Sequence, residues 1–333
     1  MTNPVLIEIV RGSLVESRHR GAVAVADATG TMALAIGDVT TPVFPRSAVK
    51  ALQALPLVER GAADRYGLTD EAMALACASH SGEGAHVAGV EAMLAKAGLD
   101  PSALRCGAHW PIAQSAAAAV ARSGAPSALH NNCSGKHAGF LCVACAMGVD
   151  HAEYFRPEHP VQQEVRAVLE DFTGAAIAEE RCAMDGCSVP TWAVPLRGLA
   201  WGFAKFGTGE GLAPERARAA ARLRQACTRK PWFVAGTGRF CTDVMQLLGP
   251  RVFVKTGAEG VYCGALPQQG LGIAIKCDDG ASRAAQAIMA AVIARFLPLD
   301  AAERAALAPF LEPRLRNWNG FEVGSIRVMD ALC

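Results

Sequence analysis

The chain has 333 residues and a mass of 34.7 kDa, the size of one large domain or two intimately joined ones. Hydrophobic residues make up 51% and charged residues 19%, which supplies a sizeable core and excludes a disordered chain. The net charge is +1 with no concentrated basic footprint, which argues against a nucleic-acid partner.

The first forty residues alternate like strands, over Leu6 to Arg11, Gly21 to Ala26 and Met32 to Ile36, with Asp27-Ala-Thr-Gly30 as hairpin chemistry between the last two. Helical periodicity follows over Ala48 to Gly61, Ala85 to Ala97, Gln114 to Arg122, Lys136 to Met147, Val161 to Phe172, Pro214 to Cys227 and Arg239 to Leu248. Several of these end at a glycine, a common helix stop. Short β-branched runs return at Arg251 to Thr256, Val261 to Leu266 and Leu271 to Cys277; a helix over Ser282 to Phe296 and a last strand over Glu322 to Met329 close the chain. Hairpins at both ends with helices between them predict an α+β fold, one antiparallel sheet built from both chain ends with helices inserted between. The chain reads as a single catalytic unit, with a sheet subdomain of about residues 1–45 and 250–333 and a helical and mixed insert of about residues 46–249. The cleft between sheet and insert is the expected place for a site.

Apolar stretches such as Gly139 to Val149 fall short of the ~18–20 residues a membrane span needs. The N-terminus shows no basic region followed by an apolar one, so no secretory signal is expected. Twelve cysteines without regular spacing read as reduced thiols of a cytoplasmic protein rather than a disulfide framework.

Four segments carry polar groups suited to chemistry. In Pro45-Arg-Ser-Ala-Val-Lys50, a helical start would put Ser47 and Lys50 on one face, where a neutral lysine can take the serine proton. The same residues also suit a plain N-cap and a solvated lysine. Cys77-Ala-Ser-His-Ser-Gly-Glu83 offers Ser79, His80, Ser81 and Glu83 at the end of an apolar run, as a site or as a turn whose serines bond their own backbone. His130-Asn-Asn-Cys-Ser-Gly-Lys-His-Ala-Gly139 opens an apolar helix. There Cys133 and His137 are one helical turn apart, and Cys187 of Met184-Asp-Gly-Cys-Ser-Val-Pro190 could complete a soft zinc site. A capped helix with inert cysteines is the alternative. Lys255-Thr-Gly257 ends a strand, where the lysine could supply charge to a cleft or simply be solvated. Gly236-Thr-Gly-Arg239 lacks the third glycine and the strand–turn–helix setting of a dinucleotide site.

These segments occur together with an opening Arg-Gly-Ser-Leu-Val-Glu-Ser, Asp-Gly-Cys-Ser-Val-Pro-Thr and Lys-Thr-Gly-Ala-Glu-Gly. In that order they resemble the asparaginase II family typified by the rhizobial L-asparaginases, from about residue 7 to the C-terminus. The threonine-based Thr-Gly-Gly-Thr signature of other asparaginase families is absent. The resemblance implies hydrolysis of L-asparagine to L-aspartate and ammonia on a fold like the serine β-lactamases and glutaminases. It implies Ser47 as nucleophile with Lys50 as its base, Ser79 and Lys255 as a second Ser–Lys pair, a homodimer, and zinc held by Cys133, Lys136 and Cys187. Metal-ligand chemistry alone favours His137 over Lys136, since an ammonium has no lone pair to donate; with Lys136 as ligand, His137 falls behind the metal or on the substrate. Asp185 is the expected partner of a substrate α-amino group, and Arg46 or His137 of its α-carboxylate. Pro56 should end or kink the helix that carries Ser47, downstream of the Ser–Lys pair. Two other readings compete: a penicillin-recognising serine acyl-transferase, for which a Ser-x-Asn element is not evident, and a non-enzymatic zinc-dependent binding module.

Overall fold

The structure is a computed structural model describing residues 2–332. β-Branched and small apolar residues at both chain ends pair into one antiparallel sheet. Across the sheet the strands run Arg314–Arg316, Glu322–Val328, Val5–Arg11, Leu14–Asp27, Leu271–Cys277, Val261–Leu266 and Phe253–Thr256; Met32–Ile36 also pairs with Leu14–Asp27. The expected hairpin forms, with Asp27 accepting the Thr29 and Thr31 N–H groups at 2.8 and 3.0 Å. The strand expected from Gly21 begins instead at Leu14. Its first half, Leu14-Val-Glu-Ser-Arg-His-Arg, is mostly exposed and pairs only toward the outer strands, so it lacks the continuous small apolar run that marks the buried second half.

Strand alternation assigns the two faces. Ala265 and Gly272 are cross-strand partners, as are Gly264 and Ile273 one residue along, so the two pairs face opposite ways. A Cβ on Gly272 would sit 2.1 Å from both Ala200 O and Ala204 N, so helix Leu196–Thr208 lies directly on that face, where only glycine fits. A Cβ on Gly264 would touch Met289, which puts helix Ser282–Phe296 on the other face. Lys255 pairs with Cys263, two residues before Ala265, and therefore points toward the inserted helices.

Helix Leu196–Thr208 did not emerge from periodicity. It contains Gly198, Gly202 and Gly207, each costing about 1 kcal/mol of helix propensity against alanine. Close packing explains them: a Cβ on Gly198 would lie 2.7 Å from Thr173 O, and one on Gly202 would lie 3.1 Å from Phe172 O. Phe203 and Phe206 of this helix pack on Phe253 of the edge strand, with ring centroids 6.0 and 5.1 Å apart. Helices Asp70–Ala76 and Ala301–Leu311 were likewise not foreseen.

The helix expected over Ala48 to Gly61 is broken into a 3-10 turn, Arg46–Val49, and two short helices, Lys50–Gln53 and Leu55–Glu59. Pro56 opens the last of these, where its missing N–H costs nothing. No helix among the described residues is long and apolar enough to cross a membrane.

Candidate active site

The turn that carries Ser47 is held under strain. Arg46 adopts φ +51°, a left-handed conformation that a bulky residue rarely takes. Beside it, a Cβ on Gly257 would lie 2.7 Å from Pro45 O and 3.1 Å from Ala48 N, so the Lys255-Thr-Gly257 strand end abuts the Ser47 turn through a glycine. Among the described residues, the non-glycine positions with positive φ are Arg46, Ser188 and Glu259. They neighbour Ser47, Cys187 and Ala258 respectively, all three of which line one cavity of about 220 Å³. Strain of this kind persists where surrounding structure overrides it, and it clusters at functional sites.

The cavity is walled by Arg46, Ser47, His109, Asn131, Asn132, Cys133, Asp185, Gly186, Cys187 and Ala258. Arg46 Nε donates to Asp185 Oδ1 at 2.5 Å, placing a guanidinium and a carboxylate side by side on the wall. Burial opposes the Asp185 charge, but Lys136 and then Arg46 outweigh it and hold the carboxyl below its usual range.

Behind this wall lie two lysines with no exposed surface, Lys50 and Lys255. Lys50 Nζ donates to Ser79 Oγ at 3.1 Å, to Ala78 O at 2.5 Å and to Cys133 Sγ at 3.1 Å. Lys255 Nζ donates to the same Ser79 Oγ at 2.8 Å and to Thr256 O at 2.9 Å. No carboxylate is among the hydrogen-bond partners of either. Burial first, and the neighbouring Lys50 charge second, push the Lys255 amine down to about 7. The structure thus brings together Lys50, Ser79 and Lys255. Ser47 is half-buried on the cavity wall, and none of the Lys50 hydrogen bonds reaches it.

The rest of the Cys77–Glu83 segment anchors this arrangement. His80 Nε2 pairs with Ser134 Oγ at 2.8 Å, Ser81 Oγ donates to Ala235 O at 2.8 Å, and the Glu83 carboxylate accepts from Thr237 N–H and hydroxyl at 2.9 and 2.8 Å. Burial, reinforced by the His86 and Lys50 charges, holds His80 well below its usual range and neutral. The Gly236–Arg239 loop is therefore tied to the segment that presents Ser79.

Cys133, Lys136 and Cys187 also converge. Helix Ser134–Met147 begins just after Cys133, and Lys136 Nζ lies 3.0 Å from Cys187 Sγ. The hydrogen bond from Cys187, with Lys50 and Lys136 alongside, overcomes burial and favours the Cys133 thiolate; the same bond and burial keep Cys187 protonated. Burial opposes the Lys136 charge, but the two cysteines and Asp185 raise its pKa above the ordinary value. His137 is fully buried, donates or accepts at Tyr154 OH through Nδ1 at 2.6 Å, and lies with Nε2 against the Cys187 backbone without a well-formed hydrogen bond. It does not line the cavity. Among the described residues no group of three or more His, Cys, Asp or Glu side chains is arranged to hold a metal. The remaining candidate set of two cysteine sulfurs and one amine fits a soft ion such as zinc in donor chemistry, provided Lys136 releases its proton.

Sequence reasoning did not single out His109 or assign roles to Asn131 and Asn132. His109 accepts from Asn132 N–H at 2.8 Å through Nε2 and bonds Trp110 O at 2.7 Å through Nδ1, so both ring nitrogens are engaged. Asn131 donates to Cys106 O at 2.8 Å and accepts from Cys133 N–H at 2.8 Å, tying the 106–109 loop to the start of the helix. No periodic or spacing signal marks His109, because it reaches the cavity from a loop.

A mixed helix and antiparallel-sheet fold, with buried lysines on a serine hydroxyl behind a small polar cavity, defines the class: a serine-type amidohydrolase fold. The chain belongs to the L-asparaginase II family, whose pattern matches residues 7–328. No curated relative matches it significantly. Similar solved structures include a β-lactamase from Mycobacterium bovis, 14% identical with a TM-score of 0.44 over 84% of this chain and 95% of that one. Mglu in its native form is 18% identical with a TM-score of 0.35, over 80% of this chain and 61% of that one. At such distances neither bears on function.

Proposed function

We propose that the chain hydrolyses L-asparagine to L-aspartate and ammonia through a serine acyl-enzyme. The observation that carries this reading is Ser79 Oγ held by two buried lysines, one with its pKa near neutrality, behind a cavity whose wall presents Ser47 and the Arg46–Asp185 pair. Ser47 is the nucleophile because its turn faces the cavity, whereas Ser79 is only 4% exposed and does not line it. The Ser47 proton passes to Lys50 Nζ as Lys50 hands one on through the Ser79 hydroxyl to Lys255, and Oγ attacks the side-chain amide carbon. Backbone N–H groups and Lys255 stabilise the oxyanion. The Ser79–Lys255 pair returns a proton to the leaving nitrogen, and ammonia departs. Water then hydrolyses the β-aspartyl ester, restoring Ser47. Catalytic hydrogen bonds often form fully only once substrate is bound, so the absence of a Lys50–Ser47 hydrogen bond in the free enzyme is compatible with the step.

The substrate's own charges match the wall. Arg46 suits the α-carboxylate and Asp185 the α-ammonium, so a zwitterionic amino acid replaces one ion pair with two. Cys133, Lys136 and Cys187 would hold zinc, which when bound supplies a fixed positive charge beside the cavity. The free state of all eleven cysteines among the described residues accords with a reducing cytoplasm, and the family resemblance supports a homodimer.

One observation favours a second assignment within the same reaction: both lysine hydrogen bonds end on Ser79 rather than Ser47. Ammonia release from L-asparagine by wild type, Ser47→Ala and Ser79→Ala, with mass spectrometry of the trapped acyl-enzyme, separates the two. Acyl mass on Ser47 upholds the main assignment, and acyl mass on Ser79 moves the nucleophile there. Folded, zinc-loaded wild type that releases no ammonia would refute the substrate.

A further inference from the structure

A second cavity, of about 310 Å³, opens where the hairpin turn at Gly30, the end of helix Pro160–Thr173 and the first turns of helix Leu196–Thr208 meet. It shares no lining residue with the Ser47 cavity and falls within the ~300–1,000 Å³ of small-molecule sites. Trp201 is its fixed wall. The indole N–H donates to Ala28 O at 2.8 Å, and Lys205 Nζ lies 4.0 Å from the ring centroid. A Cβ on Gly174 would lie 2.4 Å from Trp201 Cζ3, so backbone packs directly on the ring. A side chain held this way has little freedom left to lose when a ligand arrives.

The polar side chains around this cavity are committed, with one exception. Thr29 Oγ1 donates to Asp27 Oδ1 at 2.6 Å, and Thr173 Oγ1 donates to Leu169 O at 2.6 Å. Arg197 also lines the cavity, four residues before Trp201 and on the same helix face. Among the described residues its guanidinium has no hydrogen-bond or ion-pair partner. No acidic side chain among them lines the cavity. The hairpin carboxylate, Asp27, is turned onto the Thr29 and Thr31 N–H groups at 2.8 and 3.0 Å.

We propose that this cavity binds a small aromatic carboxylate, with the acid on the Arg197 fork and the ring against Trp201 and Met32. A planar guanidinium pairs a carboxylate through two parallel hydrogen bonds, and indole and thioether suit an aromatic body. A volume at the lower end of the range for such sites keeps that body small. Other ligands fit less well. An amino acid would find no acidic partner for its ammonium group, and inorganic phosphate would leave the apolar wall unused. The site therefore selects differently from the Ser47 cavity: there a carboxylate, Asp185, stands beside the arginine, and here none does.

The test is isothermal titration calorimetry on the full chain with benzoate, benzamide and inorganic phosphate as probes, and with Arg197→Gln and Arg46→Gln alongside. Arg197 is exposed and glutamine is a good helix former, so that variant keeps its fold, which far-UV circular dichroism verifies. Benzoate should bind wild type with a dissociation constant of about 1 mM or tighter, within reach of a ligand of its size. Its affinity should fall at least about tenfold in Arg197→Gln, which loses the charge-assisted pair, and hold in Arg46→Gln. Benzamide, which lacks the charge, and phosphate, which lacks the ring, should each bind at least about tenfold more weakly than benzoate. Any of four outcomes would overturn the proposal: no benzoate binding up to about 10 mM, equal affinity in wild type and Arg197→Gln, loss in Arg46→Gln in its place, or benzamide or phosphate binding as tightly as benzoate.

Discussion

Lys255 offers the sharpest physical test, because one side chain controls both a stability profile and a rate profile. It has no exposed surface, and its amine is lowered from an ordinary value near 10.5 to about 7, first by burial and then by Lys50. Arg239 and Cys241, from the loop and helix packed against it, and Cys133 also act on it. Between pH 7 and 10.5 the unfolded chain holds a proton there that the native protein has lost, so stability rises with pH across that window. Below pH 7 both states are protonated and the full penalty of burying the charge remains, about 5 kcal/mol from the two values. At pH 9 about 2 kcal/mol of it persists, and above 10.5 none. Replacing the lysine by methionine, similar in length and uncharged, removes this term and also the bonds to Ser79 and Thr256 O. The lost bonds cost the same at every pH. The Lys255→Met protein should therefore gain about 3 kcal/mol relative to wild type on going from pH 9 to pH 6. Urea unfolding at pH 6, 7.5 and 9, followed by tryptophan fluorescence, measures the difference. A gap that stays constant to within about 0.5 kcal/mol would refute the idea that Lys255 titrates near neutrality. In the same variant kcat/KM should fall by about 10²–10⁴, the range for a positioned proton-transfer group, and the acid limb near pH 7 should disappear.

Three further outcomes follow from the geometry. Gly257→Ala puts a methyl 2.7 Å from Pro45 O and should cut kcat by displacing the Ser47 turn, with about 1–3 kcal/mol lost in thermal or urea unfolding; unchanged kcat would show that the strand end does not position Ser47. Arg46→Lys, which loses the planar fork that pairs with a carboxylate, should raise KM for L-asparagine about tenfold or more with a smaller change in kcat, read from steady-state kinetics. A fall in kcat at constant KM would remove Arg46 from ground-state binding. Zinc should co-purify at one per chain by elemental analysis and be lost from Cys187→Ser. Its removal should raise KM while single-turnover acylation persists; metal content equal in wild type and Cys187→Ser would overturn the ligand set.

Much of the architecture was legible in the chain. Met32–Ile36, Val261–Leu266, Leu271–Cys277 and Ser282–Phe296 emerge with the boundaries read from the sequence, the strands because turn residues bound short alternating or β-branched runs and the helix because its small and apolar residues run unbroken between turns. Helix Leu196–Thr208 stayed hidden because its glycines report packing against Thr173, Phe172 and the sheet, which local propensity cannot see. Helix Lys50–Gln53 ends early because Pro56 has no N–H to give to Leu52 O, as the sequence implies, whereas the Ser47 turn ahead of it abuts Gly257, about two hundred residues away in the chain, which no local pattern reveals.

At the site, the sequence by itself determined the chemical inventory: two Ser–Lys pairs, two cysteines with a lysine, and an arginine and an aspartate, each inside a short motif. Such motifs are local, and local order is what a linear pattern encodes. Tertiary structure alone decided how they combine. It turned both Lys50 and Lys255 onto Ser79, paired Arg46 with Asp185, brought His109 to the wall from a loop, and left His137 behind it. The physical reason is that hydrogen bonding and charge burial depend on separations of a few ångströms between residues far apart in the chain. The depressed pKa of Lys255 likewise belongs to the folded interior, where burial and a second lysine act on it together.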